Sequence, residues 1–137
     1  MKSVRLAWAV AAAAIIAGGV FGTGSAVWAK LENPAIGKVR HVVLYAYKDD
    51  VTPEQQAEIA EQSRKLIDQI PLIEDLEWGT DLTEGARSQG YTHCLIFTFA
   101  TPEAVKEYVA RPAHQAFFEL AKPHLGKLLV VDYVAQE

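Results

Sequence analysis

Apolar positions recur with a period of two over Val39–Tyr47, where Val39, His41, Val43, Tyr45 and Tyr47 share one face and Arg40, Val42, Leu44 and Ala46 the other. Both faces are largely apolar, which suits a central strand covered on each side. The same pattern returns at Tyr91–Ala100, with Tyr91, His93, Leu95, Phe97 and Phe99 opposite Thr92, Cys94, Ile96 and Thr98. Between them the period lengthens. Thr52, Pro53 and Gln55 form a cap, a first-position proline and a capping box. The spacing of Ile59, Leu66, Ile67 and Ile70 then predicts a helix to about Gln69, with its charged residues facing water. Pro71 ends it. A less regular strand is expected within Ile73–Leu82, centred on Leu76, Trp78 and Gly79, and Thr83–Gly90 reads as a polar loop. Thr101-Pro102 repeats the cap-and-proline start, opening a helix with Val105, Tyr108 and Val109 on one side. Pro112 breaks it. A new helical piece from Ala113 places His114, Phe117, Phe118 and Ala121 on one face, and Pro123 ends or kinks that piece. Lys127–Ala135 is the last strand.

The order strand, helix, strand, strand, helix, strand is the split βαβ pattern of an α+β, ferredoxin-like βαββαβ fold with helices on one sheet face. The first and third strands are expected to be adjacent and parallel at the sheet centre. That would bring His41 and His93 together near one end, on the aromatic-rich faces that fit beneath helices. The opposite faces, with Val42, Leu44, Ala46, Cys94, Ile96 and Thr98, stay bare. Such a surface should find a second copy of itself, so a homodimer packed through the sheet face is expected.

Composition changes the picture at the N-terminus. Lys2 and Arg5 precede an apolar run from Leu6 to Phe21, and small residues lead to Val27-Trp28-Ala29. Residues 1–29 read as a signal peptide, 30–37 as a polar leader and 38–135 as one domain. The expected location is secreted or periplasmic, with no membrane contact after cleavage; an uncleaved N-terminal anchor is the alternative. Loss of Lys2 and Arg5 takes the formal charge from −4 to −6. With no basic run, nucleic acid is not an expected partner. The lone Cys94 cannot form an internal disulfide and reads as a small buried hydrophobe.

Three histidines and a tyrosine are the candidate chemistry: His41, His93, Tyr108 and His114. Singly, each suits a structural role; together they point to one pocket. Three imidazoles also suit zinc, but no H-x-H or H-x-x-x-H spacing occurs and no acidic residue is interleaved, so no metal is expected.

Several motifs carry a resemblance. They are Val39-Arg40-His41-Val42-Val43, Trp78-Gly79, Gly90-Tyr91-Thr92-His93, Arg111-Pro112-Ala113-His114 and Leu129-Val130-Val131-Asp132-Tyr133. From about Lys38 to Tyr133 the chain resembles the stress-responsive dimeric α+β barrel (Dabb) family. That family includes a plant polyketide cyclase that closes a linear tetraketide by intramolecular aldol condensation without a cofactor. The resemblance implies His114 as catalytic base, Tyr108 as its catalytic partner, and His41 and His93 as substrate-binding residues. It implies no cofactor and a small organic ligand. Three readings stay open: a cofactor-independent cyclase or lyase, a non-catalytic small-molecule-binding protein, and a purely structural homodimer whose core is filled.

Overall fold

A computed structural model describes residues 34–137 except residue 84. Residues 1–29, expected to be a signal peptide, and the first part of the expected leader lie outside the described residues. The elements are β1 (Val39–Tyr47), α1 (Pro53–Gln69), β2 (Asp75–Thr80), β3 (His93–Phe99), α2 (Pro102–Ala110), α3 (Pro112–Ala121), a short 3₁₀ turn (Lys122–His124) and β4 (Leu125–Val134). The fold is ferredoxin-like α+β, with sheet order β2-β3-β1-β4.

Local chemistry sets the helix boundaries. The Thr52 hydroxyl accepts from the Gln55 backbone N–H while the Gln55 side chain accepts from the Thr52 N–H, so both donors at the start of α1 are satisfied. The Thr101 hydroxyl accepts from the Ala104 N–H to open α2. Pro112 does not kink one helix. It starts α3, because proline lacks the N–H that a first helical turn leaves unused.

Every strand pair in the sheet is antiparallel. The expected parallel pairing of the first and third strands is therefore corrected: they are neighbours, but they run in opposite directions. α1 returns the chain so that β2 runs the same way as β1. The direct connection from β2 to β3 then reverses it. In the observed register His41 faces Phe97, and His93 faces Tyr45. The two histidines lie four residues apart along the sheet, roughly 13 Å at about 3.3 Å per residue.

The aromatic face of the sheet lies under α1 and α2. Phe97, Phe99, Tyr108, Leu66 and Ile70 are the largest fully buried side chains. Each contributes on the order of 1.5–3 kcal/mol by leaving water. Among the described residues no helix lies on the opposite face. There Arg40 donates to Thr98 and Glu77, which helps to bury Thr98, while Val42, Leu44, Cys94 and Ile96 stay half-buried. Cys94 sits on this uncovered face, as its strand position led us to expect, and is half-buried there rather than fully buried. Desolvation, with the nearby Glu77 charge, raises its thiol pKa. The loop between β2 and β3 turns at Gln89 and Gly90, both with positive φ. It is fastened to β4 by Lys127, which donates to the Gln89 carbonyl and lies over the Tyr91 ring. No helix among the described residues is long and apolar enough to cross a membrane.

Candidate active site

A cavity of about 720 Å³ lies between α3 and the helix side of β1 and β4. That is the size class of a pocket for a small organic ligand. Ile59, Leu95, Phe117 and Leu128 give it apolar walls, and His41, Tyr108, His114 and Asp132 bring polar groups to it. A purely structural homodimer called for solid packing at this place; the cavity does not fit that expectation.

Four side chains form a line across the cavity. Asp132, on β4, is the register partner of His41 on β1. Its Oδ1 is 2.6 Å from His41 Nδ1. A carboxylate only accepts, so His41 Nδ1 carries a proton and donates it to Asp132. The His41 ring packs edge-on to Tyr108, with centroids 5.6 Å apart, and Tyr108 in turn lies 4.5 Å from the His114 ring. His114 Nδ1 is 3.2 Å from the Val109 carbonyl oxygen. A carbonyl also only accepts, so His114 Nδ1 carries a proton and, in the neutral ring, Nε2 is the basic nitrogen.

Local structure places each group. α2 buries Tyr108 against Phe97 and Phe99, with ring centroids 5.5 and 5.0 Å away. The break at Arg111–Pro112 then swings α3 so that His114 returns beside Tyr108 and the last turn of α2. Burial raises the Tyr108 pKa, which keeps the phenol protonated and able to donate. Burial lowers the His114 pKa, the hydrogen bond to Val109 opposes this in part, and the nearby His41 lowers it further. His114 is therefore held neutral at ordinary pH. A neutral imidazole beside a protonated phenol is a base next to an acid.

His93 stands apart from this line. It does not line the cavity. Its ring stacks on Tyr45 at 4.9 Å, meets Tyr47 edge-on at 5.0 Å and tilts against Trp78 at 6.1 Å. Desolvation lowers its pKa. The expectation that three imidazoles converge is corrected: the antiparallel register brings His41 to Tyr108 and His114, and leaves His93 one ring away, behind Tyr45, which itself lines the cavity. Asp132 is the group that sequence reasoning did not assign. Its signal was a lone acid in an apolar run, on the same strand face as Leu128 and Val130. Among the described residues no group of three or more His, Cys, Asp or Glu side chains is arranged to hold a metal ion.

Comparison with known proteins agrees with this architecture. Residues 39–135 match the family described as Stress responsive A/B Barrel Domain. The chain is 40% identical over 99 residues to the stress-response A/B barrel domain-containing protein HS1 of Arabidopsis thaliana, covering 72% of this chain and 91% of that one. It is 32% identical over 99 residues to olivetolic acid cyclase of Cannabis sativa, covering 72% and 98%. Among solved structures, the hydroxynitrile lyase of Passiflora edulis superposes with a TM-score of 0.70 at 27% identity, covering 76% of this chain and 97% of that one. A dimeric ferredoxin-like protein of unknown function from Thermobifida fusca shares the fold, with a TM-score of 0.63 at 24% identity, covering 72% and 91%.

Proposed function

The chain belongs to the stress-responsive A/B barrel domain family, and on that premise we propose that it is an exported homodimer that binds a small organic molecule in the His41–Tyr108–His114 cavity and acts on it by cofactor-independent, aldol-type cyclase or lyase chemistry. The observation that carries this reading is the juxtaposition of the Tyr108 phenol and the neutral His114 imidazole in an apolar cavity. Two relatives, one a cyclase and one a lyase, support the reaction class. Aldol closure and its reverse both need a base at a proton and a donor at an oxygen that gains charge.

His114 Nε2 is the proposed base, and the Tyr108 hydroxyl the donor to the developing oxyanion. His41, held by Asp132, presents its Nε2 to the same space and orients the substrate. His93 buttresses Tyr45 at the cavity wall; a direct contact with substrate from His93 has no support in the register. The dimer rests on dimeric relatives of the same fold and on the largely apolar sheet face that no helix among the described residues covers. Export rests on the N-terminal sequence alone.

The test is turnover. Purified protein is offered short poly-β-keto thioesters and hydroxynitriles, and products are followed by mass spectrometry. Turnover that is lost in both Tyr108→Phe and His114→Ala, with the dimer intact, is the expected result. A ligand that binds tightly and leaves unchanged would favour the non-catalytic reading.

A further inference from the structure

The aldol-type reading leaves one pair of groups without a proton to move. His41 is only 6% exposed, yet its ring meets the cavity, and Asp132 holds it from β4 at 2.6 Å. Among the described residues no buried side-chain nitrogen or oxygen is both unpartnered and sealed from water. His41 makes its hydrogen bond through Nδ1, so Nε2 opens onto the cavity. The Tyr108 hydroxyl has no partner among the described residues and opens there as well. A carboxylate behind an imidazole, whose far nitrogen meets a hollow that water can enter, is an arrangement suited to drawing a proton from water.

We propose that the protein has a second, hydrolytic activity: His41, positioned by Asp132, activates water to cleave small uncharged carboxylic esters in the same cavity. The step needs no reactant other than ester and water. His41 Nε2 takes a proton from water as the water oxygen attacks the ester carbonyl carbon. The carbonyl oxygen gains the electron pair of its double bond and is met by the Tyr108 hydroxyl. As the intermediate collapses, the bond from the acyl carbon to the alcohol oxygen breaks, and His41 returns its proton to the leaving oxygen. One ester and one water become one carboxylic acid and one alcohol.

Neighbouring groups set the nucleophile and the substrate class. Ser63 also lines the cavity, but its hydroxyl is turned back onto its own helix and donates to the Ala60 carbonyl oxygen at 2.8 Å. Water is therefore the nucleophile, and no acyl-enzyme forms. Val43, Leu95 and Phe117 favour an apolar acyl group, while Asp132 and Glu119 in the same lining disfavour an anionic ester. The same two carboxylates repel the acid product once it ionises.

Hydrolysis of p-nitrophenyl butyrate tests this with the full chain at about pH 8, above the ordinary imidazole pKa of about 6.5. The rate is compared with that of the urea-unfolded chain, which carries the same imidazoles. Saturable hydrolysis is expected, with kcat about 10²-fold lower in His41→Gln. In Asp132→Asn kcat should fall about five-fold with KM little changed, because water weakens a half-exposed pair. The reaction should be slower in deuterium oxide, since a proton moves as water attacks. Equal rates in the two solvents, or a burst of p-nitrophenolate matching the protein concentration, would mean a covalent acyl intermediate and would overturn the proposal. So would a rate no higher than that of the unfolded chain, or full activity in either variant. If circular dichroism shows His41→Gln unfolded, the kcat of Asp132→Asn decides. Ester hydrolysis without aldol-type turnover would remove the reading above and leave this one; the reverse result would remove this one alone.

Discussion

His41 Nδ1 and Asp132 Oδ1 lie 2.6 Å apart across the β1–β4 ladder, joining a buried ring to a half-exposed carboxylate. The pair fixes one tautomer of His41 and aims Nε2 away from the strand. Replacing Asp132 by Ala removes the acceptor. Because water can reach that position, the expected loss of stability is only about 1 kcal/mol in urea unfolding. The sharper readout is ¹⁵N NMR of the imidazole: a single Nδ1–H tautomer in the native chain and a mixture in the variant. An unchanged spectrum would mean that the carboxylate does not hold the ring.

Tyr108→Phe keeps the ring that packs on Phe97 and Phe99 and deletes only the hydroxyl. Stability should change by less than about 1 kcal/mol. With a substrate in hand, kcat should fall by on the order of 10²–10³-fold while KM moves little. A variant that keeps full turnover would remove Tyr108 from the chemistry.

His93 and His114 both have pKa values lowered by burial. Unfolded, each binds a proton near pH 6.5; folded, each resists it to lower pH. In that window the unfolded chain holds more protons, so stability falls as pH drops from about 6.5 toward the folded values. The slope of unfolding free energy against pH should shrink in His93→Gln and again in His93→Gln/His114→Gln. A slope unchanged in both would show that other groups set the acid sensitivity. Turnover through His114 should persist below pH 6.5 for the same reason.

Phe97 is 1% exposed and touches both His41 and Tyr108. Phe97→Ala should cost about 3–5 kcal/mol, and it should loosen the cavity wall as well as the core. Thermal unfolding followed by circular dichroism measures the first. A small loss would mean that the site collapses to fill the space.

Ile96→Glu places a charge at the centre of the uncovered sheet face, opposite Val42. Light scattering should report a monomer or aggregate. A dimer of native size would place the interface elsewhere.

Much of this protein was legible before any coordinates. The capping residues Thr52 and Thr101 and the prolines after them mark helix starts through hydrogen bonds that span three residues, so they read directly from the chain. The alternation in β1 and β3 revealed which face meets the helices, because a strand's geometry repeats every two residues. Tyr108 and His114 were readable as neighbours for the same local reason: six residues and one helix break separate them.

Strand direction was not readable in this way. Whether His93 sits beside His41 depends on how β1 and β3 run past each other, a relation set by the path through α1 and the turn between β2 and β3. Asp132 is 91 residues from His41, and only the β4 register brings it there. The amino-acid order by itself determined the elements, their buried faces and the types of residue available for chemistry, because those follow from contacts within a few residues. The tertiary structure decided which imidazoles share a cavity and which acid holds one of them, because contacts between distant strands are fixed by topology and register, and no local pattern encodes either.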